Sequence, residues 1–324
     1  MENINHIDVF NGDADGICAL IQYRLAFPTE STLITGVKRD IQLLEKVSVK
    51  KGDQITVFDI SMAKNTEALQ RILLEGASVF YVDHHLPGNI PIHSSLNAII
   101  DTSPTVCTSL LVDKYLKGKY REWAIVAAFG DNMNASAEKL AKTISLSTNN
   151  IKQLKRLGIS INYNGYGSNL DDLHIKPNQL YKKAATYKTP LDFINDTKSI
   201  YQQLQAGYED DIVKTQHLKP EVKKQHIAIY MLPNELWARR VSGVFGNQLA
   251  NQYPDRAHAI LTQHPKDGYI VSVRAPLNNL NHAGDLCSQF PSGGGRKGAA
   301  GINHLPTSKF ENFITIFDKT YVHR

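Results

Sequence analysis

Cysteine is scarce: the 324 residues hold only Cys18, Cys107 and Cys287, widely separated and with no Cys-x-x-Cys pair. That spacing excludes a disulfide framework and a zinc ribbon, and the default setting for such a chain is a reducing, cytoplasmic one. Long apolar runs are missing as well. No segment reaches the roughly 18 apolar residues of a membrane span, and the opening MENINHIDVF has no basic stretch followed by an apolar one. The expectation is a soluble protein with no membrane role. Repeats and low-complexity tracts are also lacking, which sets aside solenoids and disordered tails.

What is present is an ordinary folded composition, 42% hydrophobic and 21% charged, in a chain long enough for two cores at about 100–200 residues per domain. The net charge of +5 is unevenly placed: residues 1–150 carry 14 Lys and Arg against 17 Asp and Glu, residues 151–324 carry 22 against 14. An acidic half followed by a basic half points to an anionic partner for the latter, such as nucleic acid, a nucleotide or a polyphosphate.

Short apolar runs at 6–10, 32–35, 54–58, 78–82 and 98–100 alternate with helical spacing at 17–26, 65–75 and 106–116. This is the pattern of βαβ units around a parallel sheet. The fold class is therefore α/β, with an N-terminal parallel-sheet domain over 1–135. A helical connector is expected over 136–224, where strand signals fade. A smaller C-terminal α/β domain follows over 225–324, with strands at 226–231, 258–262 and 269–274 and a glycine-rich substrate loop at 293–301.

Turn residues cluster just after the strands, which in an open parallel sheet is the ligand-binding edge. Four acidic motifs share this placement: Asp13 and Asp15 in NGDADG, Asp59 in FDIS, Asp83-His84-His85 in VDHH, and Asp131 in GDN after a helix. Singly, NGDADG reads as a turn that caps the next helix and Asp59 as another cap. The paired histidines resist so plain a reading, because burying two imidazoles and a carboxylate without partners is costly. Together the carboxylates call for a cation. Asp oxygens with one or two imidazoles and no thiolate suit Mn²⁺ or Mg²⁺. Two such ions about 3.5–4 Å apart, bridged by a carboxylate, would serve phosphate displacement.

On these residues the sequence resembles the DHH phosphoesterase superfamily, with a C-terminal DHH-associated domain of the nanoRNase-like and RecJ-like kind. The resemblance implies a metal-dependent phosphodiesterase or exonuclease, acting on short oligonucleotides, dinucleotides or single-stranded nucleic acid and releasing 5′-mononucleotides by metal-activated hydroxide. It also implies two ions, Asp13 binding the first, Asp59 bridging, and Asp15, His84 and Asp131 holding the second. His85 would reach the phosphate, with Asp83 orienting the histidines. Many members carry a histidine four residues before the first Asp, where this chain has Val9, so the first ion is expected to be bound more weakly. Alternatives are a cyclic or linear dinucleotide phosphodiesterase and a nucleotide-binding regulatory protein of weak turnover. A homodimer is compatible with the resemblance.

The C-terminal GGGRKGAAG formally matches a dinucleotide fingerprint but lacks its first-strand context and its downstream acid. Lys297 is followed by Gly298, which excludes a Walker A loop. What remains is a backbone open to phosphate at Gly293, Gly294 and Gly295, flanked by Arg296 and Lys297. Arg274, at the end of an expected strand, suits a bidentate phosphate contact.

Overall fold

Five apolar runs pair as a fully parallel sheet: β1 (His6–Phe10), β2 (Thr32–Ile34), β3 (Gln54–Phe58), β4 (Ser78–Asp83) and β5 (Leu96–Ile100), in the order β2-β1-β3-β4-β5. These and all other coordinates come from a computed structural model, which describes residues 4–322. Side-chain alternation divides the central strands between two cores. Ile7, Val9, Ile55, Val57, Val79 and Tyr81 pack on one face, and Phe10, Phe58 and Val82 on the other. Val9 is thus a core residue, fully buried. Phe10, Phe58 and Val82 are also register partners, so the residues that follow them leave the sheet along one edge. The order reverses between β1 and β3, the crevice in which open α/β sheets bind ligands.

Helix α1 (Ala14–Ala26) runs back from β1, with every residue from Ala14 to Gln22 buried. Its buried surface is covered by α3 (Thr108–Tyr115), α4 (Arg121–Gly130) and α6 (Thr148–Asn164), while α2 (Thr66–Leu74) lies on the other core. Further helices are α5 (Asn134–Lys142), α7 (Pro177–Ala184), α8 (Pro190–Asn195) and α9 (Tyr201–Ile212).

The chain divides into two compact units between Ala206 and Gly207. The helices expected as a connector over 136–224 are therefore split. Leu154, Leu157, Ile161, Leu180, Phe193 and Leu204 complete the core beneath α1, because their helical spacing gives each helix one apolar face to bury.

The second unit has its own core and a six-stranded mixed sheet in the order β10-β11-β9-β8-β7-β6. Its elements are β6 (Val222–Lys223), β7 (Ile227–Leu232), α10 (Leu236–Gln252), β8 (Ala257–Gln263), β9 (Tyr269–Arg274), α11 (Ala283–Cys287), β10 (Gly293–Gly295), β11 (Ala299–Leu305) and α12 (Phe310–Tyr321). Strands β7 and β8 are parallel across α10, and the other pairs are antiparallel. The expected glycine loop is here a hairpin: Gly293–Gly295 pair with Gly301 and its neighbours, and Arg296, Lys297 and Gly298 form the turn. No helix among the described residues is long and apolar enough to cross a membrane.

Candidate metal centre

Asp13 caps α1 from the end of β1, its Oδ1 accepting the backbone N–H of Asp15 at 3.0 Å and of Gly16 at 3.2 Å. The capping reading of NGDADG is therefore correct, and it occupies one oxygen only. Asp15, in the first turn of α1, reaches another helix: its two oxygens accept the backbone N–H groups of Thr108 and Ser109, each at 2.7 Å. These are the first residues of α3, so the carboxylate sits at the positive end of that helix. Asp59 leaves β3 with φ of 59°, a left-handed conformation that Asp and Asn tolerate better than most residues. Asp83 ends β4, and Asp131 is the C-cap of α4.

The two histidines draw these groups together. Nδ1 of His84 lies 2.8 Å from the carbonyl oxygen of Val106, and because a carbonyl only accepts, Nδ1 carries the proton. Its Nε2 then faces oxygens of Asp59 at 3.3 Å, Asp15 at 3.7 Å and Asp131 at 3.8 Å. Nδ1 of His85 donates to Asp83 Oδ1 at 2.7 Å and lies 3.9 Å from Asp59. Two sets of donor atoms lie close enough to share an ion: Asp15, His84 and Asp131, and Asp59, His84 and His85. All seven ionisable residues picked out in the N-terminal sequence stand at this edge.

Electrostatics make the same demand. Burial, then the neighbouring Asp59, pushes the carboxyl of Asp15 up to about 7. Burial and then Asp13 raise that of Asp59 well above the usual carboxylate range. His84 Nε2 among three carboxylates is a set of donors that could hold a divalent cation. Thiolates do not compete, for burial raises the thiol of Cys107 well above its ordinary value, with Asp15 adding to the effect. Mn²⁺ or Mg²⁺ fits these donors.

Lys38 is the residue that sequence reasoning missed. Its ammonium is paired with Asp13 Oδ2 and bonds Asn162 Oδ1 at 3.1 Å and Asp131 Oδ1 at 3.4 Å, with the Tyr166 ring centroid 5.5 Å away. Burial works against the charge, but Asp13, Tyr166, Asp131 and Asp59 hold its pKa above the usual lysine value. Glycine lets the segment come so near: a Cβ on Gly12 would stand 2.0 Å from the carbonyl oxygen of Gly36. The available signal was position, since Val37-Lys38-Arg39 follows β2 on the same edge of a parallel sheet.

In the second unit Arg274 is buried, and its guanidinium donates to Asn247 Oδ1, Ser272 Oγ and the carbonyls of Val273 and Gly243. Gly293 is packed tightly, for a Cβ there would meet the Cys287 carbonyl oxygen at 1.8 Å, whereas Gly294 has nothing within 4 Å of that position. Lys297 is exposed and Arg296 partly so.

Neither a family model nor a curated protein sequence matches the chain. Solved structures do match it. Exonuclease RecJ bound to manganese superposes with a TM-score of 0.59 at 15% identity, over 98% of this chain and 90% of that one. RecJ of Thermus thermophilus, in complex with Mn²⁺, gives 0.60 at 15% identity over 98% of this chain but 52% of its own, so this chain spans about half of it. The pGpG-specific phosphodiesterase PggH of Vibrio cholerae gives 0.50 at 12% identity over 98% of each chain. At these identities the likeness is one of fold.

Proposed function

We propose that this chain, which has the DHH phosphoesterase fold, is a divalent-metal-dependent hydrolase of phosphodiester bonds, releasing 5′-mononucleotides from short oligonucleotides and linear dinucleotides. The observation that carries this reading is the placement of His84, whose Nδ1 lies against the Val106 carbonyl and whose Nε2 faces three buried carboxylates. Asp15, Asp59, His84 and Asp131 are the residues proposed to hold Mn²⁺ or Mg²⁺. Such an ion lowers the pKa of water and offsets the charge of a phosphate. Asp83 fixes the other ring: with Nδ1–H of His85 held at 2.7 Å, Nε2 is the atom left to exchange a proton with a phosphate oxygen. For the second unit we propose that Arg296 and Lys297, on the turn beside Gly293, Gly294 and Gly295, bind phosphate, with Arg274 shaping the strand end behind them.

The test is nucleotide release from pGpG, a five-nucleotide RNA, a longer single-stranded DNA, cyclic dinucleotides and pyrophosphate, with Mn²⁺ or with chelator. Release of 5′-mononucleotides from the two short linear substrates is expected only with metal. His85→Asn should lower the rate by about 10²–10⁴-fold, and folded His84→Ala should lose the response to Mn²⁺. Metal-independent release, or full Mn²⁺-dependent activity in folded His84→Ala, would overturn the proposal. Tight binding of a dinucleotide without release would instead favour a regulatory nucleotide-binding protein.

A further inference from the structure

We infer that the ammonium group of Lys38 is a resident cation of this centre, standing where Asp13 would otherwise bind an ion, so that the chain takes up one divalent ion instead of two. This rests on the phosphoesterase reading above. An ammonium has three protons to donate, and here all three have oxygens: Asp13 Oδ2, Asn162 Oδ1 and Asp131 Oδ1. Asp13 differs from Asp15 in its partner: one oxygen caps α1, and the other already faces a cation, the Lys38 ammonium, which an incoming ion would have to displace. The neighbouring oxygen donor is neutral: Asn11 Oδ1 is buried without a hydrogen-bond partner among the described residues, and an amide oxygen holds a divalent ion less strongly than a carboxylate or an imidazole. Val9 is sealed in the core, and the amide nitrogen of Asn11 donates to the Lys38 carbonyl at 3.3 Å.

Lys38 is also held in place. Its backbone N–H donates to the Gly165 carbonyl at 2.8 Å, and Asn162, from α6, reaches its ammonium. Asp131 links the fixed charge to the exchangeable one, for its Oδ1 lies 3.4 Å from Lys38 Nζ and its Oδ2 lies 3.8 Å from His84 Nε2. The phosphate of a substrate would therefore meet two cations, of which only the divalent one is lost to a chelator.

The experiment counts Mn²⁺ bound to the full chain by calorimetric titration and by metal analysis after desalting, with electron paramagnetic resonance to detect spin-coupled Mn²⁺ pairs. The wild-type chain should bind one Mn²⁺ with no coupled signal. Lys38→Met, shown folded by circular dichroism, should bind a second, weaker Mn²⁺ and give the coupled signal, while Lys38→Arg should stay at one. Two Mn²⁺ in the wild-type chain would overturn the inference and leave the phosphoesterase reading standing, and that count needs no variant to fold. A folded Lys38→Met that remains at one ion would also overturn it. No Mn²⁺ at all in the wild-type chain would remove both.

Discussion

Both units bury ionisable groups at the ends of their strands, and they do so in opposite ways. In the second unit, Arg274 and His258 are register partners on β9 and β8, both buried. The guanidinium is surrounded by acceptors from its own unit. His258 avoids charge altogether, since burial, with Arg256 nearby, lowers its pKa to about 4. At the edge of the first sheet, four carboxylates face one another and a histidine, and Lys38 is shared by two of them. Burial alone therefore does not mark a site. The distinguishing condition is whether the protein supplies the counter-charge, and in the first unit it supplies only part.

The sharpest way to break this contrast is Arg274→Met. If the guanidinium is a structural donor, its loss strands several buried acceptors and should destabilise the second unit by about 2–4 kcal/mol in urea unfolding. Unchanged stability with weakened nucleotide binding would move Arg274 onto the substrate and make the two units alike. A change of pH should separate them next. Between about 4 and the ordinary histidine value of 6.5, the unfolded chain binds a proton at His258 that the folded unit refuses. The second unit therefore loses stability as pH falls through that window, by up to about 3 kcal/mol, and His258→Gln should remove the dependence. Metal-free, the first unit responds with the opposite sign. Asp15, raised to about 7, keeps a proton that the unfolded chain has lost above its ordinary 3.8, so this contribution grows as pH falls between those values. Hydrogen exchange read separately for each unit at pH 4.5 and 7, with and without Mn²⁺, checks both signs. A parallel response of the two units would refute the comparison. The smallest effect is expected at Gly294→Ala, where a Cβ meets nothing: stability should hold within about 0.5 kcal/mol, and any loss of nucleotide affinity would then report close approach of a ligand to that backbone.

The acidic edge could be read from sequence because parallel strands in register end together. Once the runs at β1, β3 and β4 are recognised, Asp13, Asp59 and Asp83 must share an edge. Lys38 escaped because a lysine beside an arginine in a loop looks like solvated charge, and only the fold reveals that Asn162, distant in sequence, helps to hold it. The helices after Asp131 announced their existence but not their destination. An apolar face at Leu154, Leu157 and Ile161 says that something is covered, and here it is α1 and α4. The glycine run illustrates a different limit. A backbone without Cβ atoms was legible in Gly293–Gly295, but the pairing with β11 that makes it a hairpin depends on partners several residues on.

The reach of Asp15 into α3 has a consequence for genetics. Its carboxylate holds the first two backbone N–H groups of that helix, so nearly any substitution there injures a helix start as well as the proposed cation site. A screen for lost function would recover Asp15 as readily as His84, and for a different cause. Variants at this position should be rescued poorly by excess metal and better by low temperature, whereas lesions at the other proposed ligands should show the reverse. Suppressor patterns could thus sort the carboxylates into those that build the fold and those that only furnish its chemistry.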